Sequence, residues 1–226
     1  MNSDLKQKIE NETHNWQYAE ELAEDKYGFK LNKIFAEFGN KYDLFEYSNA
    51  NHCRIKAYYD EDTREYKVRV KIGCNEYCKP YFFAGELAQF ESLLKGYFDE
   101  ELSKFNSRCK NSLVAKDLGE WKYAQELPEE LEGFKLFIKP TEAVEYTNGS
   151  YIILDYSDFA TESSLSILHN IYKNDYGNEV VIRGESYISD DFGASSVEEL
   201  EELLKEKLTE KLREIREMAE KIGAEQ

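Results

Sequence analysis

The sequence predicts an α+β fold made of two tandem repeats. Each repeat is predicted to be an antiparallel sheet with a closing C-terminal helix, and the two repeats are predicted to pack as a pseudo-dimer. Three observations support this prediction. The two halves of the chain resemble each other, each half contains runs of alternating apolar and polar residues, and each half ends in an amphipathic helical pattern. Of the 226 residues, 41% are hydrophobic and 14% are aromatic, which is enough for two packed cores.

Short segments of the first half recur in the second half in the same order. The matching pairs are 16–22 with 121–127, 28–31 with 133–136, 46–49 with 145–148, and 93–95 with 203–205. The first two pairs share an offset of 105 residues. We therefore assign residues 1–112 to the first repeat and residues 113–226 to the second, and we expect Trp16 and Trp121 to occupy equivalent positions in the two cores.

The first repeat has the pattern of several strands followed by a helix. The predicted strands lie at 29–35, 42–47, 52–59 and 65–72. The acidic segment 60–63 predicts the turn of a hairpin, and Pro80 favours a short edge strand at 80–83. Apolar residues at helical spacing then predict a helix over 84–105.

The second repeat follows the same plan. The predicted strands lie at 134–138, 143–147, 151–156, 165–172 and 179–183. Asn148-Gly149 predicts a two-residue hairpin turn, and Ser196 with Glu199 predicts a capping box at the start of a helix over 197–222. A helix of this length measures about 39 Å, which is more than a sheet of four or five strands can cover. We therefore expect its last two turns to lie on the other domain or on another molecule, as in a homodimer.

No sequence motif of a catalytic or cofactor-binding loop is present, so we predict no cofactor and no catalytic residue. Cys74 and Cys78 have a C-x3-C spacing, but a zinc site needs a second pair of ligands and only His52-Cys53 is available, so we predict no metal site. The residue types that recur between the repeats are those of packed cores. We therefore predict that the protein is not an enzyme. The alternative is an enzyme with an unrecognised site in the cleft between the two repeats.

Three acids near one predicted strand were also considered as ligands of a hard cation. Asp155, Asp158 and Glu162 lie close together in the sequence but lack the glycine and the oxygen-ligand spacing of a calcium loop. We interpret them as a solvated loop.

The charge of the chain is a stronger lead to function. The 29 basic and 46 acidic residues give a formal net charge of -17, to which residues 1–112 contribute -3 and residues 113–226 contribute -14. Direct binding to nucleic acid or to an anionic membrane is disfavoured, because both require clustered Lys and Arg. The acidic second half instead favours a protein partner with a basic surface.

The densest acidic segment leads into the C-terminal helix. Its acids are Asp190, Asp191, Glu198, Glu199, Glu201 and Glu202. Glu198, Glu201 and Glu202 share one helical face and are expected to be exposed. We predict that this segment binds a basic protein surface and that the protein is an acidic binding module, for example an inhibitor that occupies a nucleic-acid-binding groove. The alternative is that the acids only keep the protein in solution.

The N-terminal sequence gives an expectation about location. Residues 1–16 contain no apolar segment typical of a secretory signal, and no run in the chain is long and apolar enough to span a membrane. We therefore expect a cytoplasmic protein, in which the cysteines remain reduced.

Overall fold

The computed structural model describes residues 1–106, 114, 118–147 and 149–224. By its contacts the chain divides into two units. The first consists of Met1–Ile72 and Glu76–Asn106, and the second consists of Gly73–Asn75 and the described residues of Ser107–Gln226. The predicted boundary between residues 112 and 113 lies outside the described residues.

The first sheet is a meander in which each strand pairs with the next strand along the chain. Its strands are β1 (Asp25–Lys26), β2 (Phe29–Phe38), β3 (Lys41–Ser48), β4 (Cys53–Asp60), β5 (Glu65–Ile72) and β6 (Asn75–Cys78). The accompanying helices are α1 (Ser3–Thr13), α2 (Gln17–Glu20) and α3 (Leu87–Asn106). The four predicted strands and the predicted helix of this repeat are confirmed as β2 to β5 and α3.

The edge strand predicted at 80–83 is wrong. Pro80–Phe82 forms a 3₁₀ turn, because the fixed φ of proline suits the first position of a helical turn. The edge of the sheet is formed by β6, directly before this turn.

The core of the first unit lies between one face of its sheet and the helices. Alternate residues of β3, β4 and β5 point towards this face, as the two-residue period of a strand requires. The ring centroids of Phe45 on β3 and Phe98 on α3 are 5.6 Å apart, and those of Tyr66 on β5 and Phe90 on α3 are 5.4 Å apart. All four rings are buried, so α3 packs directly on the sheet.

The second unit contains a seven-stranded sheet within its described residues. Its strands are β7 (Glu130–Leu131), β8 (Phe134–Ile138), β9 (Val144–Thr147), β10 (Ser150–Asp158), β11 (Ser163–Asn170), β12 (Asp175–Ile182) and β13 (Glu185–Tyr187). The strand order is β13-β12-β11-β10-β8-β7, with β9 also paired to β10. The α-helices are α4 (Lys122–Glu126) and α5 (Val197–Ala224), and 3₁₀ turns lie at Leu118–Glu120 and Pro140–Glu142. The predicted β9–β10 hairpin is present, although Asn148 of its turn lies outside the described residues.

α5 covers the second sheet along most of its length. Its buried residues recur every three or four positions and are Leu200, Leu204, Leu208, Leu212, Ile215 and Ala219. Near its end, Nε of Arg183 donates a hydrogen bond to the carbonyl of Ala219 at 2.7 Å, and Ile222 packs against the same core. The last two turns therefore lie on the sheet of their own unit, and the predicted overhang is wrong. The sheet is wider than the four or five strands on which that expectation was based. The homodimer stays a prediction.

The two units share their elements in the same order, as the sequence repeat predicts. β1 corresponds to β7, and β2 corresponds to β8 and β9 together. β3, β4, β5 and β6 correspond to β10, β11, β12 and β13, and α3 corresponds to α5. The isolated bridge between Tyr66 and Ala84 recurs between Tyr176 and Ala194, 110 residues later. β3 and β10 each carry a register shift at the same position in their pairing with the next strand. The offset grows from 105 residues to 109 at β3 and β10, because the turn at Pro140–Glu142 interrupts the second repeat where β2 is continuous in the first. It reaches 110 from β4 and β11 onwards, because the β10–β11 hairpin, counted between equivalent strand pairs, is one residue longer than the β3–β4 hairpin.

One of the predicted matches between the repeats has the wrong register. Segment 46–49 was paired with 145–148, but Tyr47 on β3 corresponds to Tyr156 on β10. The hydroxyl of Tyr47 donates to the carbonyl of Ala23 at 2.7 Å, and the hydroxyl of Tyr156 donates to the carbonyl of Pro128 at 2.7 Å. Segment 144–147 is strand β9, which takes the place of the end of β2.

Candidate functional site

One of the six predicted binding acids, Glu201, supports the fold. Its Oε2 accepts a hydrogen bond from Nε1 of Trp121 at 2.8 Å, and its Oε1 pairs with Nζ of Lys205 one turn later. These two donors, Lys205 first, lower the pKa of Glu201. In the first repeat Glu91 accepts the same bond from Trp16 at 2.6 Å. The prediction that Glu201 is a freely exposed acid is therefore wrong, because its carboxylate holds the tryptophan of its repeat.

Two more of the six acids contribute to local structure. Glu199 Oε2 accepts hydrogen bonds from the backbone N–H and the hydroxyl of Ser195, each at 2.8 Å, and these bonds lower the pKa of Glu199. The Oγ of Ser196 accepts from the backbone N–H of Glu199 at 3.2 Å, as the predicted capping box requires. Asp191 forms an ion pair with Lys211 at 2.7 Å, and this contact lowers the pKa of Asp191. The ion pair joins the segment before α5 to the middle of that helix.

The remaining three predicted acids have no such role. Asp190, Glu198 and Glu202 are exposed, and within the described residues they have no ion-pair partner. The structure adds Glu206, which is also exposed and lies one turn beyond Glu202. Sequence analysis missed it, although its four-residue spacing from Glu202 was a signal. We call Glu198, Glu202 and Glu206 the acidic stripe.

The first repeat provides an internal comparison for the acidic stripe, because α3 and α5 occupy equivalent positions. The counterparts of the stripe in α3 are Ala88, Ser92 and Gly96. Glu201, in contrast, has the acidic counterpart Glu91. The glutamate that accepts the tryptophan hydrogen bond is thus present in both repeats, whereas the acidic stripe is present only in the second.

The acidic stripe does not stabilise α5. Like charges four residues apart on a helix cost about 0.2–0.5 kcal/mol per pair, and the stripe contains two such pairs. Only Glu198 lies in the first turn, where the helix dipole favours a negative charge. The fold therefore gives no energetic reason for Glu202 and Glu206.

A groove of about 610 Å³ lies beside the start of the stripe, between α4 and α5. Glu198 and Glu126 border it, and Tyr123 and Val197 supply apolar walls. Nζ of Lys205 already lies 5.2 Å from the centroid of the Tyr123 ring. Carboxylates beside apolar walls are suited to the charged head and the apolar stem of a Lys or Arg side chain.

The acids considered as cation ligands have other roles. Asp155 is fully buried on β10, where Oδ1 accepts from Oγ of Ser157 and Oδ2 accepts from Oγ of Ser166, each at 2.5 Å. Its interpretation as part of a solvated loop is therefore wrong, because serine hydroxyls on β10 and β11 satisfy the buried carboxylate. Asp158 accepts from the backbone N–H of Ala160 at 3.0 Å and so closes the following turn.

Among the described residues, no group of three or more His, Cys, Asp or Glu side chains is placed to hold a metal ion. Cys78 has its Sγ 3.3 Å from the hydroxyl of Tyr58. Cys109, the last of the four cysteines in the chain, lies outside the described residues. No helix in the described part of the chain combines the length and the apolar character needed to cross a membrane. Comparisons with models of protein families, with curated proteins and with solved structures found no significant match to this chain.

Proposed function

We propose that the protein is a non-enzymatic binding module and that the acidic stripe, together with Asp190, contacts the basic surface of a partner protein. One observation carries the proposal. The stripe is exposed, has no ion-pair partner among the described residues, and occurs in only one of two repeats that otherwise share their elements. Charges of this kind steer a partner of opposite charge during association.

We further propose that the partner surface is one that binds nucleic acid, so that the module acts as an inhibitor. The net charge of -17 favours an extended basic surface, and nucleic-acid-binding proteins carry such surfaces. The stripe presents about one charge per 6 Å along the helix, whereas duplex DNA presents one per about 1.7 Å. The module therefore relies on fewer ionic contacts than DNA, and the groove beside Tyr123 adds an apolar contact next to them.

The test moves the stripe without changing the net charge. In the exchange variant, Glu198→Ala, Glu202→Ser and Glu206→Ala remove the stripe from α5, and Ala88→Glu, Ser92→Glu and Gly96→Glu build it on α3. Association with a panel of nucleic-acid-binding proteins is measured by surface plasmon resonance, and displacement of a fluorescent oligonucleotide is measured in parallel. We expect the wild type to bind and displace, and the exchange variant to associate about tenfold more slowly or worse.

A reversal variant, Glu198→Lys with Glu202→Lys and Glu206→Lys, tests the same surface without altering α3. Its matched control is Glu210→Lys with Glu217→Lys and Glu220→Lys, which makes the same charge change on the later turns of α5. The proposal is contradicted if the exchange variant binds like the wild type, or if both triple reversals slow association equally. In those cases the stripe serves solubility, and net charge alone governs binding.

A further inference from the structure

The first sheet carries a cavity of about 520 Å³ on the face that points away from α3. Its floor is formed by Tyr58 and Asp43, which are buried, and its rim includes Asn32 and Phe38, which are exposed. A volume of this size falls within the usual range for sites that bind small molecules. We call it the sheet cavity.

An irregular segment of β2 shapes the sheet cavity. The pairing of β2 with β3 shifts its register between Lys33 and Ala36, so Ile34 lies in a bulge and lines the cavity. Phe35 next to it has φ of 44°, a left-handed conformation that costs a non-glycine residue of order 1–3 kcal/mol. The carbonyl of Phe35 accepts a hydrogen bond from the hydroxyl of Tyr42 at 3.1 Å, which helps to hold this conformation.

The net charge of the residues that line the sheet cavity is opposite in sign to the net charge of the whole chain. The cations are Lys41, Arg54, Lys56 and Arg69, and the anions are Asp43, Glu46 and Glu76. The lining therefore carries one net positive charge in a chain whose net charge is -17. A local cationic site in a strongly acidic protein favours an anionic ligand.

The ion pairs leave one cation available. Lys56 pairs with Asp43 at 2.6 Å, Arg69 pairs with Glu76 at 3.3 Å, and Arg54 pairs with Glu46 at 3.7 Å. Lys41 has no carboxylate partner among the described residues, and its Nζ lies 5.9 Å from the centroid of the Tyr58 ring that forms the floor. A ligand anion can therefore meet Lys41 without displacing an existing ion pair.

The second repeat lacks the four cations of the sheet cavity. The strand pairing gives their counterparts as Ser150 for Lys41, Ser164 for Arg54, Ser166 for Lys56 and Glu179 for Arg69. The shared fold thus does not require these cations, just as it does not require the acidic stripe.

We propose that the sheet cavity binds a small organic anion in which a carboxylate or phosphate is attached to an apolar group. The anionic group lies at Lys41, with Arg69 next in reach, because the guanidinium of Arg69 lies 5.0 Å from the centroid of the same Tyr58 ring. The apolar group packs against Ile34, Phe38 and the ring of Tyr58. This site lies in the first unit and is independent of the acidic stripe. A helix from another molecule is disfavoured as the occupant, because a helix with its side chains is about 10–12 Å across.

The test measures binding of four probes to the full chain by calorimetry and by amide NMR. Phenyl phosphate and benzoate combine an anion with a ring, inorganic phosphate lacks the ring, and benzylammonium carries the opposite charge. We expect one or both aromatic anions to bind and to shift the amides of Lys41 and Phe38. Benzylammonium leaves these amides unchanged, and inorganic phosphate binds more weakly. Which aromatic anion binds more tightly identifies the anionic group.

Two single variants make the result specific to the sheet cavity. Lys41→Gln should weaken binding about tenfold or more, because it removes a hydrogen bond to a charged group, and Lys41→Arg should restore it. The matched control is Lys30→Gln on β2, an exposed lysine that does not line the cavity. If Lys41→Gln is not folded, Lys41→Met, which keeps the apolar stem, takes its place. The proposal is overturned if neither aromatic anion binds, if Lys30→Gln weakens binding as much as Lys41→Gln, or if the amides move only through self-association of the protein.

Discussion

At the scale of single residues, the most informative contact is the one between each tryptophan and a carboxylate on the closing helix. Trp16 and Trp121 begin the short helices α2 and α4, and each donates its indole N–H to a glutamate on α3 or α5. The lysine one turn later pairs with the same glutamate in both repeats. The unit that the duplication preserved is therefore a tryptophan, a glutamate and a lysine, rather than the tryptophan alone.

Because of this contact, the free energy of unfolding should depend on pH. The lysine and the indole N–H lower the pKa of Glu91, and they lower the pKa of Glu201 in the same way. A carboxylate with a lowered folded pKa stabilises the protein above its unfolded pKa of about 4.3, and this contribution is lost as the pH falls through the folded value. We expect Glu91→Gln with Glu201→Gln to flatten the acid side of the stability curve, measured by urea unfolding at a series of pH values below neutrality.

The control for this experiment is Glu220→Gln, an exposed acid of α5 with no ion-pair partner in the described part of the chain. It should follow the wild-type curve. A double variant whose stability falls with acid as steeply as that of the wild type would show that the two carboxylates contribute nothing through ionisation.

The sequence identified the tryptophans as core residues but not their partners. Glu201 was assigned to a binding surface, because a run of acids at the start of a helix gives no local sign that one of them meets Trp121, 80 residues earlier in the chain. Comparison of the repeats contained the missing information, since Glu91 and Glu201 are both acidic while the acids around Glu201 have no acidic counterparts. The match of 93–95 with 203–205 already contains the offset of 110 residues that aligns Glu91 with Glu201, and the bridge of Tyr66 and Ala84 with its counterpart confirms that offset.

At the scale of elements, two glycines that both have space for a larger side chain should change the stability of the protein in opposite directions when they are replaced by alanine. Gly133 lies in the tight turn between β7 and β8 with φ of 86°, and Gly96 lies within α3. An added Cβ meets no atom within 4 Å at either position. We expect Gly133→Ala to destabilise the protein by about 1–2 kcal/mol through its left-handed backbone, and Gly96→Ala to stabilise it by about 0.5–1 kcal/mol. Urea unfolding measures both changes.

A neutral Gly133→Ala would show that the turn adopts another conformation in solution. A destabilising Gly96→Ala would show that this turn of α3 contacts something outside the described residues. Either result would contradict the backbone conformation or the exposure that the structure gives that glycine.

The acidic stripe gives a second prediction for an element. Glu202→Gln with Glu206→Gln keeps the side-chain shapes, removes both like-charged pairs of the stripe and leaves Glu198 in the first turn of the helix. α5 should therefore gain roughly 0.4–1 kcal/mol at low ionic strength. Added salt should reduce this gain, because exposed charges are screened within about 8 Å at physiological ionic strength. Thermal unfolding at low and high salt measures it. A double variant that is less stable than the wild type would assign Glu202 and Glu206 a structural role instead.

Local sequence pattern predicted those elements that have a strong hydrophobic period. β3 to β5 and α3 bury residues at strand or helical spacing and were recognised, whereas α1 was not, because it buries only Ile9 and Thr13. α1 is placed by tertiary contacts, such as the 2.7 Å hydrogen bond from the hydroxyl of Tyr66 to Glu12. The two-residue strands β1 and β7 are too short to show a period at all. Elements held mainly by long-range contacts leave little trace in the sequence around them.

At the scale of the whole molecule, the two repeats have kept one fold and acquired different charges. The acidic stripe occurs only in the second repeat, and the cations of the sheet cavity occur only in the first. Neither set is required by the elements that the repeats share. The two proposed binding sites therefore arise from the residues in which the repeats differ, and each repeat serves as a control for the other.

The ion pair between Asp191 and Lys211 has a consequence for how the chain folds. In the first repeat Glu101 of α3, at the position equivalent to Lys211, pairs with Lys79 at 3.0 Å, so the helix supplies the anion of its ion pair in the first repeat and the cation in the second. Two similar sheets on one chain risk being closed by each other's helix during folding. If α3 closed the second sheet, Glu101 would meet Asp191, and if α5 closed the first, Lys211 would meet Lys79. Both mismatches would place like charges together, so these ion pairs disfavour closure of either sheet by the helix of the other repeat.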